Sequence, residues 1–222
     1  MLFFMKKNLN LPARLLAGLA LMLTLGAGQS VQTEVVGVAD PSGYGIGDAV
    51  ANFRLKNVDG GMVALSDFRN AKGAIIVFTC NHCPFSRAYE DRVIALNQRF
   101  MAQGFPVIGI NPNDPAAYEE DSFENMKVRA REKNYSFPYL SDESQEVARA
   151  FGATRTPHVV VLKREGDKFT VQYLGMIDDN SQDAGGVTRR YVEEAVTNLL
   201  AGKPVGLNTT KSVGCAIKWK TV

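Results

Sequence analysis

The hydrophobic pattern takes three successive forms within the first half of the chain. Residues 52–55 alternate polar and apolar side chains, residues 62–65 are apolar, and the two segments flank Asp59-Gly60-Gly61, which predicts a β-hairpin. Residues 74–79 form an apolar, partly β-branched run that favours a buried strand. From residue 86 to residue 100, apolar side chains recur at steps of three and four, as in an amphipathic helix.

The second half continues this alternation of strands and helices. The pattern predicts, in chain order, a strand at 106–110, a polar helix at 118–133, a short extended segment at 137–140, a helix from Asp142 to Phe151, a strand at 157–162, its hairpin partner at 169–174 and a last helix at 188–200. Alternating strands and helices followed by a terminal hairpin indicate an α/β fold, with a central mixed β-sheet flanked by helices on both faces.

The first 30 residues have the pattern of a secretory signal peptide. Lys6, Lys7 and Arg14 supply basic residues, residues 15–25 are apolar or small, and residues 26–30 offer small side chains for cleavage. The apolar run is shorter than the about 20 residues of a membrane-spanning helix. An uncleaved membrane anchor is the alternative. Both interpretations place the domain outside the cytoplasm, in the periplasm or the extracellular space.

The remaining chain is expected to hold one domain. After residues 1–30 we predict a lead-in segment at 31–46, the main domain at 47–202 and an irregular tail at 203–222 that contains Cys215 and Trp219. The net charge of the whole chain is +2, and residues 1–30 hold three of its 25 basic residues and none of its 23 acidic ones. The rest therefore carries 22 bases against 23 acids, a balance that indicates no nucleic-acid partner.

Cysteine provides the candidate chemistry. The chain has three cysteines, Cys80, Cys83 and Cys215, and an odd number does not suit a purely structural disulfide scaffold. Cys80-Asn81-His82-Cys83 lies between a predicted buried strand and a predicted helix, which is typical of a thiol–disulfide redox motif. We expect the helix N-terminus and His82 to lower the pKa of Cys80 and stabilise its thiolate.

Three other interpretations of this motif remain open. The cysteine pair could be buried and inert, and His82 could be an exposed loop residue without effect on the thiols. The pair could also be half of a structural zinc site, although the sequence offers no second pair of closely spaced ligands.

Several segments together resemble thioredoxin-like redoxins of the alkyl hydroperoxide reductase and thiol-specific antioxidant type, in particular their peroxiredoxin-like thioredoxin-family branch. The resemblance covers residues 47–222. The matching segments are Gly47-Asp48 with 52–55, Asp59-Gly60 with 65–68, Thr79-Cys80-Asn81-His82-Cys83-Pro84, residues 137–142, Phe151-Gly152-Ala153 with Thr156-Pro157, and residues 214–219.

The resemblance implies a thioredoxin-like fold and an enzyme that needs no cofactor. It implies that the Thr156-Pro157 peptide bond is cis and lies beside the dithiol, at the start of a strand. The backbone of Thr156 would then offer hydrogen bonds to an extended substrate. The expected activity is thiol–disulfide oxidoreduction, with protein or small-molecule thiols and disulfides as substrates and an unidentified redox partner.

Departures from the peroxiredoxin pattern make peroxidase activity the alternative. Peroxiredoxins of this type carry Pro-x-x-x-Thr-x-x-Cys, and aligning Cys83-Pro84 with its last cysteine puts Cys80 at the threonine and Ile76 at the proline. A supporting arginine is also needed, for which Arg155 and Arg87 are the candidates. The site therefore looks more like a dithiol than a peroxidatic thiol.

In the expected mechanism Cys80 is the nucleophile and Cys83 releases the substrate from the mixed disulfide. Cys215 has two interpretations: a resolving or relay thiol in a tail that folds back, or a bystander packed with Trp219.

Two alternatives belong to other functional classes. The thiols of Cys80 and Cys83 with the imidazole of His158 would suit soft copper, which predicts a copper-delivery protein. An inactive interaction domain is the other alternative.

Overall fold

The computed structural model describes residues 43–221. The predicted signal peptide, most of the predicted lead-in segment and Val222 lie outside the described residues. The strands are β1 Ala49–Val50, β2 Arg54–Asn57, β3 Met62–Ala64, β4 Gly73–Phe78, β5 Val107–Asn111, β6 Tyr139–Ser141, β7 Arg155–Thr156, β8 His158–Glu165, β9 Lys168–Gly175 and β10 Cys215–Ala216. The α-helices are α1 Pro84–Phe100, α2 Phe123–Glu132, α3 Glu146–Ala150 and α4 Tyr191–Leu200.

Eight of these strands form one mixed sheet in the order β1-β9-β8-β4-β5-β6-β2-β3. Strand β4 lies inside it, parallel to β5 with Ile76 opposite Ile108, and antiparallel to β8 with Ile76 opposite Val160. The mixed sheet flanked by helices confirms the α/β prediction and the thioredoxin-like fold. Strands β7 and β10 pair separately as a two-stranded antiparallel sheet.

Each face of the sheet carries its own hydrophobic layer, because side chains alternate along β4. Ile75 and Val77 pack into a layer that includes α1 and α4 residues. Ile76 and Phe78 pack into the opposite layer, which also receives Ile217 from the tail. All six residues of β4 are buried, as expected for a strand covered on both faces. The residues immediately after β4 are thereby held at a fixed place between the two layers.

The helices differ from the predicted ranges mainly at their N-termini. The predicted helix at 118–133 divides into a 3₁₀ turn, Glu119–Asp121, and α2, because Ser122 caps α2 by accepting a hydrogen bond from the Asn125 backbone at 3.4 Å. The N-cap residue of α3 is Gln145 and not the predicted Asp142, whose carboxylate accepts a hydrogen bond from the Ala148 backbone N–H at 2.8 Å inside the first turn. None of the helices between residues 43 and 221 is long and apolar enough to cross a membrane.

Replacing Ile76 by alanine is predicted to destabilise the fold by about 2–5 kcal/mol, since it leaves a cavity in the centre of the sheet. Ile76 has no exposed surface, whereas Ile46 is 41% exposed. The same change at Ile46 is the matched control and should alter the free energy of unfolding by less than about 0.5 kcal/mol. Urea unfolding measures both. Equal effects of the two substitutions would contradict the assigned core.

Candidate redox site

Strand β4 delivers the cysteine motif to the N-terminus of α1. Cys83 is the N-cap residue, with an extended backbone conformation (φ −69°, ψ 123°), and Pro84 is the first helical residue, where its missing N–H costs nothing. Cys80 lies three residues earlier. Our expectation that the first cysteine occupies the helix N-terminus is therefore wrong, and the positive end of the helix dipole acts on Cys83.

The hydrogen bonds at Cys83 favour its thiolate. The side chain of Cys80 is the largest contributor that lowers the pKa of Cys83 to about 4, ahead of Cys215 and the backbone N–H of Ser86, while burial opposes the shift. A thiolate is the reactive form of cysteine in exchange chemistry. Of the two thiols in the motif, Cys83 is therefore the one whose pKa is lowered, whereas sequence analysis expected that shift at Cys80.

The environment of Cys80 favours the neutral thiol. Its Sγ lies 3.0 Å from the Thr156 hydroxyl, and the residue is only 3% exposed. The pKa of Cys80 is raised, first because its thiol is hydrogen-bonded to Cys83, then by burial and by the negative charge of Asp121. The structure thus reverses the pKa shift that we expected for Cys80. The pKa shifts of the two thiols therefore have opposite directions, raised at Cys80 and lowered at Cys83.

Thr156 and Pro157 lie directly beside the motif. The peptide bond between them is cis, as the resemblance implies. The Thr156 carbonyl oxygen is 3.3 Å from Cys83 Sγ, so this residue contacts both cysteines of the motif. The strand edge of Thr156, which we expected to receive an extended substrate, pairs with Cys215 of the same chain.

Cys215 belongs to the site. Its Sγ lies 2.6 Å from Cys83 Sγ, and all three cysteines are free thiols in this structure. Burial, and then the hydrogen bond with Cys83, raises the pKa of Cys215 to about 11. Trp219 instead packs against the Arg149 guanidinium, 4.3 Å from the ring centre. This arrangement contradicts the bystander interpretation of Cys215, in which it packs only with Trp219.

Asp121 is a buried carboxylate at the site that sequence analysis missed. Its oxygens accept a hydrogen bond from the Asn81 backbone N–H at 2.6 Å and another from Asn113 at 2.8 Å, and lie 2.5 Å from His82 Nδ1. The imidazole of His82 stacks on the Tyr118 ring with 3.9 Å between centres. Asp121 therefore holds the loop between the cysteines and fixes the orientation of His82. It is one of three adjacent acidic residues, and nothing in the sequence separates it from its neighbours.

The structure does not assemble the copper ligands that sequence analysis considered. Within residues 43–221, the group of three metal-ligating side chains with atoms within 4.8 Å of one another is Cys80, His82 and Asp121. His158 is absent from this group, and its Nδ1 lies 2.5 Å from the Ser212 hydroxyl. Burial lowers the pKa of His158 to about 4.

Neither candidate arginine takes the supporting position expected for a peroxidatic thiol. The Arg155 guanidinium donates to the Gly214 carbonyl oxygen at 2.9 Å, so it holds the tail. Arg87 is exposed on the first turn of α1. In the described part of the chain, neither side chain is hydrogen-bonded to a cysteine sulfur.

A comparison with protein families identifies the family of this chain. Residues 46–179 match the model of the AhpC/TSA family, which covers more than half of the chain. The chain belongs to the AhpC/TSA family. It is 28% identical over 145 residues to the chloroplastic peroxiredoxin Q of Oryza sativa subsp. japonica, a match that covers 58% of this chain and 57% of that protein. The chain thus matches little more than half the length of this curated relative.

Two solved structures show how far the fold is shared. An uncharacterised conserved protein from Geobacillus kaustophilus is 37% identical and superimposes with a TM-score of 0.74, over 81% of this chain and 94% of the other. A thiol:disulfide interchange protein DsbE, so described provisionally, from Chlorobium tepidum superimposes with a TM-score of 0.52 at 19% identity, over 72% and 97% of the two chains. The second likeness shows the fold alone.

Titration of the reduced protein should show a single thiolate forming near pH 4. The hydrogen bonds that lower the pKa of Cys83 leave the other two thiols protonated at neutral pH, because their pKa values are raised. Ultraviolet absorbance of the thiolate measures this step. It should disappear in Cys83→Ser and persist in Cys215→Ser, the matched control. A step that survives Cys83→Ser would assign the thiolate to another cysteine.

Proposed function

We propose that this AhpC/TSA family member is an exported thiol–disulfide oxidoreductase whose Cys80 and Cys83 exchange electrons with substrate thiols and disulfides. The observation that carries the proposal is the position of both cysteines beside Thr156: Cys80 Sγ lies 3.0 Å from its hydroxyl and Cys83 Sγ 3.3 Å from its carbonyl oxygen. The pKa shifts have opposite directions, lowered at Cys83 and raised at Cys80. Export is supported by the signal-like pattern of residues 1–30.

The first step of the proposed reaction is attack by the Cys83 thiolate. The thiolate bonds to one sulfur of a substrate disulfide and forms a mixed disulfide. The other substrate sulfur leaves as a thiolate. The Cys80 thiol then attacks Cys83 Sγ, and its proton passes to the departing substrate thiolate. The products are a reduced substrate and a Cys80–Cys83 disulfide. The reverse sequence oxidises a substrate dithiol.

Residues around the pair have defined roles in this scheme. The Thr156 hydroxyl, 3.0 Å from Cys80 Sγ, orients the thiol that attacks second. Asp121 and His82 hold the loop that joins the cysteines. The helix N-terminus at Cys83 stabilises the charge that reappears each time this thiolate is released.

A peroxidase is the second candidate function, because the surroundings of Cys83 also suit a peroxidatic thiol. Cys83 stands at the Cys-Pro position of the peroxiredoxin pattern, its pKa is about 4, and Cys215 Sγ lies 2.6 Å away. In that reaction the Cys83 thiolate would attack a peroxide oxygen to give a sulfenic acid and release water or an alcohol. Cys215 would then condense with it, forming a disulfide and a second water.

Serine substitutions should separate the two thiols in a disulfide-exchange assay. With insulin as substrate and dithiothreitol as reductant, Cys83→Ser should lose catalysis because it lacks the attacking thiolate. Cys80→Ser combined with Cys215→Ser removes both thiols that could release the substrate, and this variant should accumulate a mixed disulfide at Cys83, which mass spectrometry detects after acid quenching. Cys215→Ser, the matched control, should still form a Cys80–Cys83 bridge on mild oxidation. Catalysis retained in Cys83→Ser, or no bridge between residues 80 and 83, would contradict the proposal.

Peroxide consumption with dithiothreitol distinguishes the second candidate. For a disulfide oxidoreductase, we expect hydrogen peroxide to disappear no faster with the wild-type protein than with Cys83→Ser. A rapid reaction that persists in Cys80→Ser and disappears in Cys83→Ser would favour the peroxidase, since only that reaction proceeds without the second thiol of the motif.

A further inference from the structure

Strand β10 covers the reactive cysteine by pairing with the strand that precedes the cis-proline. Cys215 lies opposite Thr156 and Ala216 opposite Arg155, in an antiparallel pair. The Ile217 backbone N–H extends the pairing by donating to the Thr154 carbonyl at 3.0 Å. Cys83 has no exposed surface in this arrangement. A disulfide-containing partner therefore cannot reach Cys83 Sγ while β10 is in place.

The residues on either side of Cys215 fit this strand edge closely. A Cβ atom at Gly214 would lie 2.1 Å from the Thr156 carbonyl oxygen, so only glycine allows the approach. Ile217 is 4% exposed and packs into the hydrophobic layer below the sheet. Cys215 thus contacts Cys83 from a segment in which the required Gly214 precedes it and the buried Ile217 follows two residues later.

The end of the tail is fastened by polar contacts. The Lys218 backbone N–H donates to Asn113 Oδ1 at 2.9 Å, and the Lys218 carbonyl accepts from the Gln145 amide at 2.8 Å. The Lys220 backbone N–H donates to Gln145 Oε1 at 2.8 Å. Gln145 therefore clamps the tail through both of its amide atoms.

We propose that residues 214–217 are an internal substrate segment, which occupies the docking edge of β7 and competes through Cys215 with a cysteine-containing polypeptide for Cys83. The inference rests on the proposed function and makes it more specific. The external partner is an extended polypeptide that places its cysteine opposite Thr156, and the protein admits it only when β10 leaves that edge.

The chemistry of the competition needs no external oxidant. In the oxidised protein the thiolate of Cys215 attacks Cys83 Sγ, the Cys80–Cys83 bond breaks, and Cys80 leaves as a thiolate that takes up the proton Cys215 lost. One disulfide is exchanged for another, so the number of electrons is unchanged. The Cys83–Cys215 isomer fixes β10 to the site covalently, and attack by Cys80 releases it.

A pair of glycine-to-alanine variants of the full chain tests the docking. Gly214→Ala places a Cβ against Thr156, whereas Gly206→Ala, in the same tail, adds a Cβ with no atom within 4 Å. We expect N-ethylmaleimide to alkylate Cys83 of the reduced protein about tenfold faster or more in Gly214→Ala than in wild type, because overpacking displaces the strand. Gly206→Ala should match wild type. Equal rates in all three proteins would overturn the proposal.

Competition by a free peptide tests the substrate role. A synthetic peptide of residues 211–220 with its cysteine activated as a mixed disulfide should form an adduct at Cys83, measured by release of the activating thiol, about tenfold faster in Gly214→Ala than in wild type. The same peptide with alanine in place of the glycine before cysteine is the control and should react slowly. Equal adduct rates for the glycine and the alanine peptide would also overturn the proposal. Ile217→Ala, which removes the buried anchor, gives a second way to release β10 if Gly214→Ala does not fold.

These measurements are independent of catalysis. Alkylation and adduct formation follow access to one sulfur, whereas the proposed function depends on turnover by Cys80 and Cys83. If access to Cys83 depends on the glycine but the protein catalyses no insulin reduction, the docking inference holds and the proposed function fails. If the protein catalyses insulin reduction but access to Cys83 does not depend on the glycine, the proposed function holds and the docking inference fails.

Discussion

The geometry of the site depends on one constraint, the fixed position of Cys83 Sγ between a helix N-terminus and the Thr156 carbonyl. The buried strand β4 sets that position, because both of its faces are covered and its last residue leads directly into the motif. The N-cap location stabilises negative charge on this sulfur, and the surrounding hydrogen-bond donors add to it. The pKa values of the other two thiols are raised, at Cys80 first by the interaction with Cys83 and at Cys215 first by burial.

This constraint produces an asymmetric set of three thiols. Cys83 is central: its Sγ lies 2.6 Å from Cys215 Sγ, and Thr156, which contacts it at 3.3 Å, also contacts Cys80 Sγ at 3.0 Å. Any disulfide that Cys83 forms can therefore be exchanged for another within the same molecule. Which partner it uses is decided by β10, since the tail strand both delivers Cys215 and closes the approach to Cys83.

Burial of Asp121 shows how the loop of the motif is kept in place. The Asp121 side chain has no exposed surface. Its carboxylate accepts hydrogen bonds from the loop between the cysteines and from the Asn113 side chain. A buried charge that is fully hydrogen-bonded in this way holds its surroundings in one arrangement. The same charge raises the pKa of Cys80, so it contributes to the difference between the two thiols of the motif.

The sequence by itself determined the order of the elements, the α/β class, the AhpC/TSA resemblance and the cysteine motif, because hydrophobic periodicity and short spacings are local properties. The predicted first residues of the helices were less accurate, since capping by residues such as Ser122 depends on local geometry. Only the tertiary structure decided that the lowered pKa belongs to Cys83, that Asp121 lies beside His82 and that Cys215 reaches the site. These facts depend on contacts between residues far apart in the chain, 132 positions in the case of Cys83 and Cys215, which no local pattern records.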